Sequence, residues 1–314
     1  MSSPVTSRAA TTARETVNAV HGARLGDLDA RRSRDRNPAS LLFLGALWFS
    51  LFFGVFVLLA LIIDTVISGS GRFDSALFTN YESKLDKSTT GFRAGILGSI
   101  WLMVFTALLA IPMGVAAAVH LEEFADKRTR LNRIIEVNLQ NLAAVPSVIY
   151  GMLAVAIMGL LGYQFKGIVL GGAIALALLI LPVVIITTRE AIRAVPQEIR
   201  QGSLALGATV WQTTWRNTLP AAVPGIATGT ILGLSRAIGE AAPLLMLGMA
   251  MVMWDPTGVE SKVTALPMQI FHLTSMPQEE YQMAASAAIV LLLAMILGMN
   301  AVAIFIRNKF QKSW

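Results

Sequence analysis

The sequence predicts an all-α membrane protein with six transmembrane helices, and two features of its composition lead to this fold class. Of the 314 residues, 55% are hydrophobic and only 14% are charged, whereas soluble globular chains carry about 25% charged residues. The charges also leave several long intervals free, each exceeding the ~20 residues that a helix needs to cross the ~30 Å hydrocarbon layer. Because these intervals are continuously apolar and do not alternate, they predict helices and not strands.

Charged residues bound each predicted span, and the elements follow from them in chain order. The first 40 residues are polar and arginine-rich, so we interpret residues 1–40 as a disordered basic cytoplasmic tail, followed by a six-helix transmembrane domain at residues 41–314. Charge-free runs define spans one to four and span six, and an interval with only Arg236 and Glu240 defines span five. The predicted spans cover residues 41–63, 94–119, 137–160, 168–188, 220–246 and 283–306.

Lysine and arginine are distributed unevenly between alternate loops, and this predicts the orientation of the chain. The two tails and the loops at 120–133 and 189–219 together contain 18 of these residues, whereas the other side contains six. Since basic residues accumulate in cytoplasmic loops, both termini are predicted to be cytoplasmic. The long loops at 64–92 and 255–281 then lie outside, where they either cap an entrance or act as connectors.

The residue patterns of common catalytic and metal sites do not occur in the sequence. There is no cysteine and the three histidines are far apart, so disulfides, thiolate chemistry and a histidine metal cluster are not expected. The sequence has no Gly-x-x-x-x-Gly-Lys-Ser/Thr phosphate-binding loop and no nucleophile–base set. Basic residues flank the spans and form no separate folded patch, which argues against a nucleic-acid partner. We therefore expect a non-enzymatic chain without a cofactor or metal of its own.

An amphipathic segment follows the fourth span on the cytoplasmic side. Leu204, Ala208, Trp211 and Trp215 recur at helical spacing, so we predict one helix at about residues 197–215. Such a helix either rests on lipid headgroups or docks in a groove of a cytoplasmic partner.

Two opposite charges lie in the middle of the fifth span. Between Arg216 and Asp255, Arg236 and Glu240 are the only charged residues in 38 positions. An arginine in the bilayer costs about 2.5–3.5 kcal/mol on insertion scales, so the pair should face protein or water and not lipid. The two residues are four apart on a helix and can pair. They form either a structural pair or an anion site, in which the guanidinium fork of Arg236 binds paired oxygens and Ser235 is a further candidate donor.

The cytoplasmic segment also carries the spacing of a known family. Permeases of ABC importers have Glu-Ala-Ala in this loop, then a glycine after three further residues and Leu-Pro further on. Here Gly207 and the Leu-Pro at 219–220 keep that spacing. The sequence departs from the pattern at 201–203, which reads Gln-Gly-Ser, and at Asn217, which replaces an apolar residue.

Four further stretches narrow the resemblance. VPSVIYG, SLALGAT, SRAIGEAAPLL and TALPMQIF look like the permease subunits of phosphate ABC importers of the PstA type, although Arg189 stands where that family leads us to expect an acid. The resemblance implies the type I ABC importer permease fold with a cytoplasmic coupling helix at about 197–215. It supports Arg236 as a substrate-pathway residue, beside which Glu240 and Ser235 are the further candidates. It assigns the contact with an ATPase to Gln201, Gly202, Ser203, Leu204, Ala205 and Gly207.

By this resemblance the chain is a permease subunit of an ATP-driven phosphate importer in the bacterial inner membrane, and it forms half of the translocation pathway. It would assemble in the lipid bilayer with a PstC-like sister permease and two PstB-like ATPase subunits that carry ATP and Mg²⁺. A PstS-like extracytoplasmic phosphate-binding protein would deliver the substrate. The alternatives are the sister permease PstC itself, a permease for sulfate or molybdate, and an ion-coupled secondary transporter with a proton-linked Arg236–Glu240 pair.

Cysteines introduced into this cysteine-free chain test the predicted orientation. A cysteine that replaces Ser88 or Gly258 should react with a membrane-impermeant thiol reagent in whole cells. A cysteine that replaces Ser203 should react only after the membrane is opened. The unsubstituted chain, which has no thiol, is the control, and the opposite labelling pattern would place both termini outside the cell.

Overall fold

The computed structural model of this protein is almost entirely helical across the residues that it describes. These are residues 38–83, 89–126, 129–249 and 251–310. In chain order the helices are α1 (Pro38–Gly69), α2 (Ala76–Thr79), α3 (Arg93–Val119), α4 (Arg130–Ala143), α5 (Ser147–Leu160), α6 (Val169–Arg193), α7 (Gln197–Ala205), α8 (Val210–Thr213), α9 (Leu219–Ile238), α10 (Ala242–Met246), α11 (Leu266–Thr274) and α12 (Glu279–Phe310). A 3₁₀ turn follows α1 at Ser70–Arg72, and π-helical turns follow α3 at His120–Phe124 and α8 at Thr214–Thr218.

The chain divides into two units, residues 1–61 and 62–314. Of the first unit the structure describes the beginning of α1, and the second contains the end of α1 and all the other helices named above. The tail predicted at residues 1–40 lies outside the described residues as far as position 37, and residues 38–40 already belong to α1.

Five of the described helical stretches are long and apolar enough to cross a membrane. They correspond to predicted spans one, two, four, five and six, and together with the bent pair α4–α5 they give six. The stretches are Ala39–Arg72, Arg93–Phe124, Val169–Arg193, Val210–Ile238 and Glu279–Lys309. The prediction of an all-α membrane protein is therefore confirmed, while the bounds of two spans are not.

The third span, predicted as one helix at 137–160, is two helices bent by 108°. The bend falls at Val145 and Pro146, because the proline ring disfavours the helical conformation of the residue before it. The phenol of Tyr150 in α5 donates a hydrogen bond of 2.6 Å to the carbonyl of Leu142 at the end of α4, which fixes the corner. Helix α5 is apolar, whereas α4 is amphipathic. Some apolar side chains of α4, such as Ile134, are exposed.

The fifth span, predicted at 220–246, lies at Val210–Ile238 instead. It begins at a capping box in which Thr209 and Gln212 bond each other's backbone N–H groups. It continues through the π-helical turn Thr214–Thr218, which lies just before Pro220. Proline has no N–H, and its ring clashes with the preceding turn of a regular helix, so a local departure from α-helical geometry is expected there. The predicted helix at 197–215 is therefore two helices, α7 and the start of this span.

Helix α6 lies at the centre of the second unit and packs against both α3 and α9. Its side chains Leu176, Ile180 and Val184 are buried in the main hydrophobic cluster. A glycine allows α9 to approach α6 closely, since a Cβ atom on Gly229 of α9 would lie 2.1 Å from the hydroxyl oxygen of Thr187 in α6. The large buried contact of three helices supplies the rigid frame on which the polar sites are built.

The two long loops that are predicted to lie outside, residues 64–92 and 255–281, contact each other and the start of α3 in their described parts. Arg93 forms an ion pair of 2.7 Å with Asp255 (Nη2 to Oδ2), and the hydroxyl of Tyr81 donates to the same carboxylate at 3.1 Å. The hydrogen bonds from Arg93 hold the pKa of Asp255 below its ordinary value. The side-chain amide of Gln269 donates to Glu82 at 3.1 Å. Polar side chains therefore join the described parts of the two loops to each other and to the start of α3.

Replacing Gly98 by alanine should lower the stability of the protein. A Cβ atom at Gly98 of α3 would lie 1.9 Å from the carbonyl oxygen of Thr264, so the backbone must move, and such overpacking costs about 1–3 kcal/mol. The matched control is Gly159→Ala in α5, where a Cβ atom meets nothing within 4 Å and helix propensity favours alanine. Thermal unfolding of the detergent-purified protein should rank Gly159→Ala at or above the parent and Gly98→Ala clearly below it. Equal melting temperatures for the two variants would contradict the packing of α3 against the loop that contains Thr264.

Candidate translocation and coupling sites

Arg236 and Glu240 lie where α9 ends. Arg236 is in the last turn of α9, and Glu240 is in the break before α10. The Nε atom of Arg236 is 3.4 Å from Oε1 of Glu240. The two side chains are in contact, but across a helix end and not along one helix face as predicted. A cation in the last turn also faces the negative end of the helix dipole, which stabilises it there.

The pair lies on the surface of the single chain. The side chain of Arg236 is 44% exposed and that of Glu240 is 23% exposed. Because charges of a spanning segment are rarely left against lipid, this surface must meet water or another protein subunit. The chain alone therefore supplies one wall of a polar region and not a closed site.

Helices α5 and α10 form the support beside the pair. A Cβ atom on Gly151 of α5 would lie 2.7 Å from the Cα of Pro243 in α10, so the two helices touch through their backbones. Tyr150, the neighbour of Gly151, is buried and lies within electrostatic range of Arg236. The break between α9 and α10 falls at 239–241, just before Pro243 in the first turn of α10. It frees the chain after Ile238 to turn back against α5.

Ser235, the third predicted pathway residue, is engaged within the protein. Its hydroxyl donates to the carbonyl of Ile231 at 2.7 Å and also contacts the side-chain oxygen of Asn300 in α12. To donate to an anion, this hydroxyl would have to leave both partners. Sequence analysis did not single out Asn300, although an amide within an apolar 32-residue helix is a signal that could have found it.

The predicted ATPase-contact residues are all on or beside α7, which has no buried residue. Gln201, Gly202, Leu204 and Ala205 are exposed, and the space around Gly202 is open. Ser203 faces the protein, where it bonds Thr213 and accepts a hydrogen bond from Asn217, each at 2.9 Å. Asn217 thus has a structural reason to depart from the apolar residue of the family pattern, because it ties α7 to the start of the fifth span.

Gly207 ends α7 in a conformation that favours glycine. Its φ angle is +83°, and the N–H groups of Gly207 and Ala208 bond the carbonyls of Leu204 and Ser203 in a Schellman motif. The preceding residue, Leu206, is 90% exposed. The helix end therefore presents a large apolar side chain at the tip of a fixed turn.

The apolar stripe predicted along 197–215 is divided between two helices. Trp211 and Trp215 follow the turn, and their ring centroids lie 5.4 Å apart, with Phe124 5.7 Å from Trp211. These aromatic residues therefore do not continue the face of α7 that carries Leu204. The positive φ at Gly207 is the physical reason, because it ends α7 and a new helix begins at Val210.

A second group of charges lies behind α7, and sequence analysis did not connect it. Two adjacent acidic residues in the π-helical turn after α3 pair with arginines of α6 and α7. The residues are Glu122, Glu123, Arg189, Arg193 and Arg200. In the sequence these arginines count only as cytoplasmic charges, although two adjacent acids directly after a long apolar run are unusual enough to serve as a signal.

Among the residues that the structure describes, no group of histidine, aspartate and glutamate side chains could hold a metal ion.

Comparison with known families agrees with this architecture. Residues 110–312 match the family model described as binding-protein-dependent transport system inner membrane component. The match covers more than half of the chain and contains both α7 and Arg236.

Two curated relatives and one solved structure show the extent of the similarity. The phosphate transport system permease protein PstA of Yersinia pestis is 31% identical over 262 residues, which are 83% of this chain and 88% of the relative. PstA 1 of Mycobacterium tuberculosis is 31% identical over 218 residues, 69% of this chain and 70% of the relative. A chain of the bacterial alginate ABC transporter in complex with alginate pentasaccharide-bound periplasmic protein superposes with a TM-score of 0.62 at 19% identity, over 89% of this chain and 96% of that one. This protein therefore belongs to the family of inner membrane components of binding-protein-dependent transport systems and has the fold of their type I importer permeases.

Proposed function

We propose that this chain is the transmembrane permease subunit of an ATP-driven phosphate importer and forms half of the translocation pathway. The observation that carries the proposal is the partly exposed Arg236–Glu240 pair at the end of a spanning helix. The similarity to PstA proteins of two organisms supports phosphate over sulfate or molybdate as the substrate.

The chemistry of Arg236 suits an oxyanion that has shed part of its water. Its guanidinium group presents parallel N–H donors whose geometry matches the paired oxygens of phosphate. Among the described residues only Nε of Arg236 makes a side-chain contact, at a long 3.4 Å to Glu240, so the terminal N–H groups are available to an anion. Glu240 compensates the charge of Arg236 when the site is empty and competes with the anion, which keeps the anion from binding too tightly to leave.

Helix α7 has the features of a helix that docks in a groove of a partner. Most of its residues are exposed and none is buried, and its tip carries the apolar side chain of Leu206. A shallow cavity of about 490 Å³ lies beside this tip, lined in part by Ile199, Gln212 and Arg216. The exposed apolar tip and the adjacent cavity suit contact with a folded ATPase domain.

The assembly that follows from this proposal has parts that this chain does not contain. Two ATPase subunits would bind ATP and Mg²⁺, a sister permease would supply the other half of the pathway, and an extracytoplasmic binding protein would deliver phosphate. This chain would contribute no catalytic residue. It would lie in the bacterial inner membrane with both termini in the cytoplasm, as the distribution of basic residues predicts.

Arg236→Gln should lower phosphate uptake by about 10- to 100-fold, since a hydrogen bond to a charged group contributes roughly 1.5–3 kcal/mol. The measurement is radiolabelled phosphate uptake by proteoliposomes that contain the whole complex, normalised to assembled complex, with sulfate and molybdate as competing anions. The double variant Arg236→Gln/Glu240→Gln is the control for a purely structural pair, because it leaves no charge unpaired.

If the double variant stays inactive while its complex remains assembled, Arg236 acts on the anion. Recovery of uptake in the double variant would remove Arg236 from the substrate pathway. Equal competition by sulfate or molybdate would reassign the substrate.

Substitutions at Gly207 separate two roles of the turn after α7. If the positive φ matters, Gly207→Ala should impair ATPase stimulation more than Gly207→Asn, because alanine strains a left-handed conformation by roughly 1–2 kcal/mol and asparagine tolerates it. If close approach of the ATPase matters, the bulkier asparagine should be the worse of the two. The measurement is ATP hydrolysis by the purified complex, stimulated by the phosphate-loaded binding protein. We expect the order glycine, asparagine, alanine, and the reverse order of the two variants would contradict the conformational explanation.

A further inference from the structure

The end of α3 places two neighbouring carboxylates in contact with two different parts of the protein. Glu122 and Glu123 belong to the π-helical turn His120–Phe124, and their side chains are 1% and 7% exposed. The proposed pathway uses neither of them. Buried carboxylates are retained in proteins only where cations and hydrogen bonds compensate them, so their partners indicate what the turn holds together.

Glu122 joins α3 to α6. Its two carboxylate oxygens lie 3.3 Å from Nε of Arg189 and 2.9 Å from Nε of Arg193. The same two arginines also reach Glu136 of α4, at 3.1 and 3.4 Å. Two spanning helices and the amphipathic helix α4 are thus held together by one network of charges.

Glu123 joins α3 to α7. Oε1 of Glu123 is 2.8 Å from Nη1 of Arg200, and the Arg200 side chain is only 15% exposed. Arg200 also donates a hydrogen bond to the carbonyl of Ile192 near the end of α6. Arg200 is therefore the residue of α7 that contacts the ends of both spanning helices at once.

The start of the fifth span is tied to the same place. The hydroxyl of Thr214, which donates to the carbonyl of Val210 at 2.9 Å, also lies 3.4 Å from Glu123. Ser203 of α7 bonds Thr213 and Asn217. The ends of α3, α6 and the fifth span therefore converge on one short helix. Because separating one partner of a buried ion pair leaves an uncompensated charge, α7 cannot slide along these helix ends at low cost.

We infer that the Arg200–Glu123 ion pair is the joint through which α7 passes movement to the spanning helices, with Glu122 extending the connection from α3 to α6. This inference rests on the proposed function, in which α7 is the contact with the ATPase. Arg200 and Glu123 are positioning residues that touch neither substrate nor nucleotide. When the Arg200–Glu123 pair is intact, movement of α7 also moves α3 and α6. When the pair is broken, the ATPase still hydrolyses ATP, but the spanning helices do not follow α7.

Charge exchange at the joint tests this inference in the reconstituted complex with phosphate-loaded binding protein. The variants are Arg200→Glu, Glu123→Arg and the double exchange, and the measured quantity is phosphate imported per ATP hydrolysed. Each single reversal should lower this ratio on the order of tenfold, within the range of measured coupling energies, while hydrolysis persists. The double exchange should recover most of the ratio. Lys309→Glu is the matched control, because Lys309 is an exposed cation of the same predicted side that forms no ion pair among the described residues.

The inference is overturned if both single variants lose uptake and hydrolysis in proportion, so that the ratio is unchanged, or if the double exchange leaves the ratio low. If a reversed variant does not assemble, Arg200→Lys against Arg200→Gln makes the same comparison, and lysine must retain the higher ratio. Failure of the proposed function is separate, since the unsubstituted complex would then import no phosphate at all.

Discussion

A charge placed out of water is tolerated only where another group compensates it, and this constraint governs the placement of most polar residues described here. Arg93 at the start of α3 pairs with Asp255 in a long loop. At the other end of α3, on the side predicted to be cytoplasmic, the carboxylates are compensated by arginines of α6 and α7. Arg236 and Glu240 differ from both in their longer contact, which is 3.4 Å and made by Nε of the arginine. In the proposed function this weaker compensation leaves Arg236 able to bind a substrate anion, whereas the other two groups of charges connect helices and loops.

The number and approximate position of the spanning helices could be predicted because length and charge alone determine them. The exact bounds of the helices inside apolar stretches could not, because hydrophobic composition does not mark a helix end. Proline is a local signal at both breaks, since Pro146 lies at the bend before α5 and Pro243 lies just after the break that follows Ile238. The turn at Gly207 was misinterpreted for a different reason. The apolar spacing of Leu204 and Trp211 fits a continuous helix, and only the positive φ of the glycine between them shows that the helix ends.

The candidate sites were predictable to the extent that their residues stand out locally. Arg236 and Glu240 are conspicuous because their surroundings in the sequence are uncharged for tens of residues. The joint at Glu123 and Arg200 could not be found in this way, since both residues lie among other cytoplasmic charges and meet only after α3 and α6 pack together. Asn217 departs from a family pattern, and its hydrogen bond to Ser203, which is not visible in the sequence, supplies the structural reason.

The shortness of α5 has a consequence for the membrane voltage. Its 14 residues cover about 21 Å at 1.5 Å per residue, less than the ~30 Å thickness of the hydrocarbon layer. Where water fills the part of the hydrocarbon layer that α5 does not cross, the transmembrane voltage drops over a shorter distance near Tyr150 and Arg236. An anion that enters a cell with a negative interior moves against this voltage, at about 2.3 kcal/mol per charge and 100 mV. In the proposed pathway the electrical work of import is then concentrated beside Arg236.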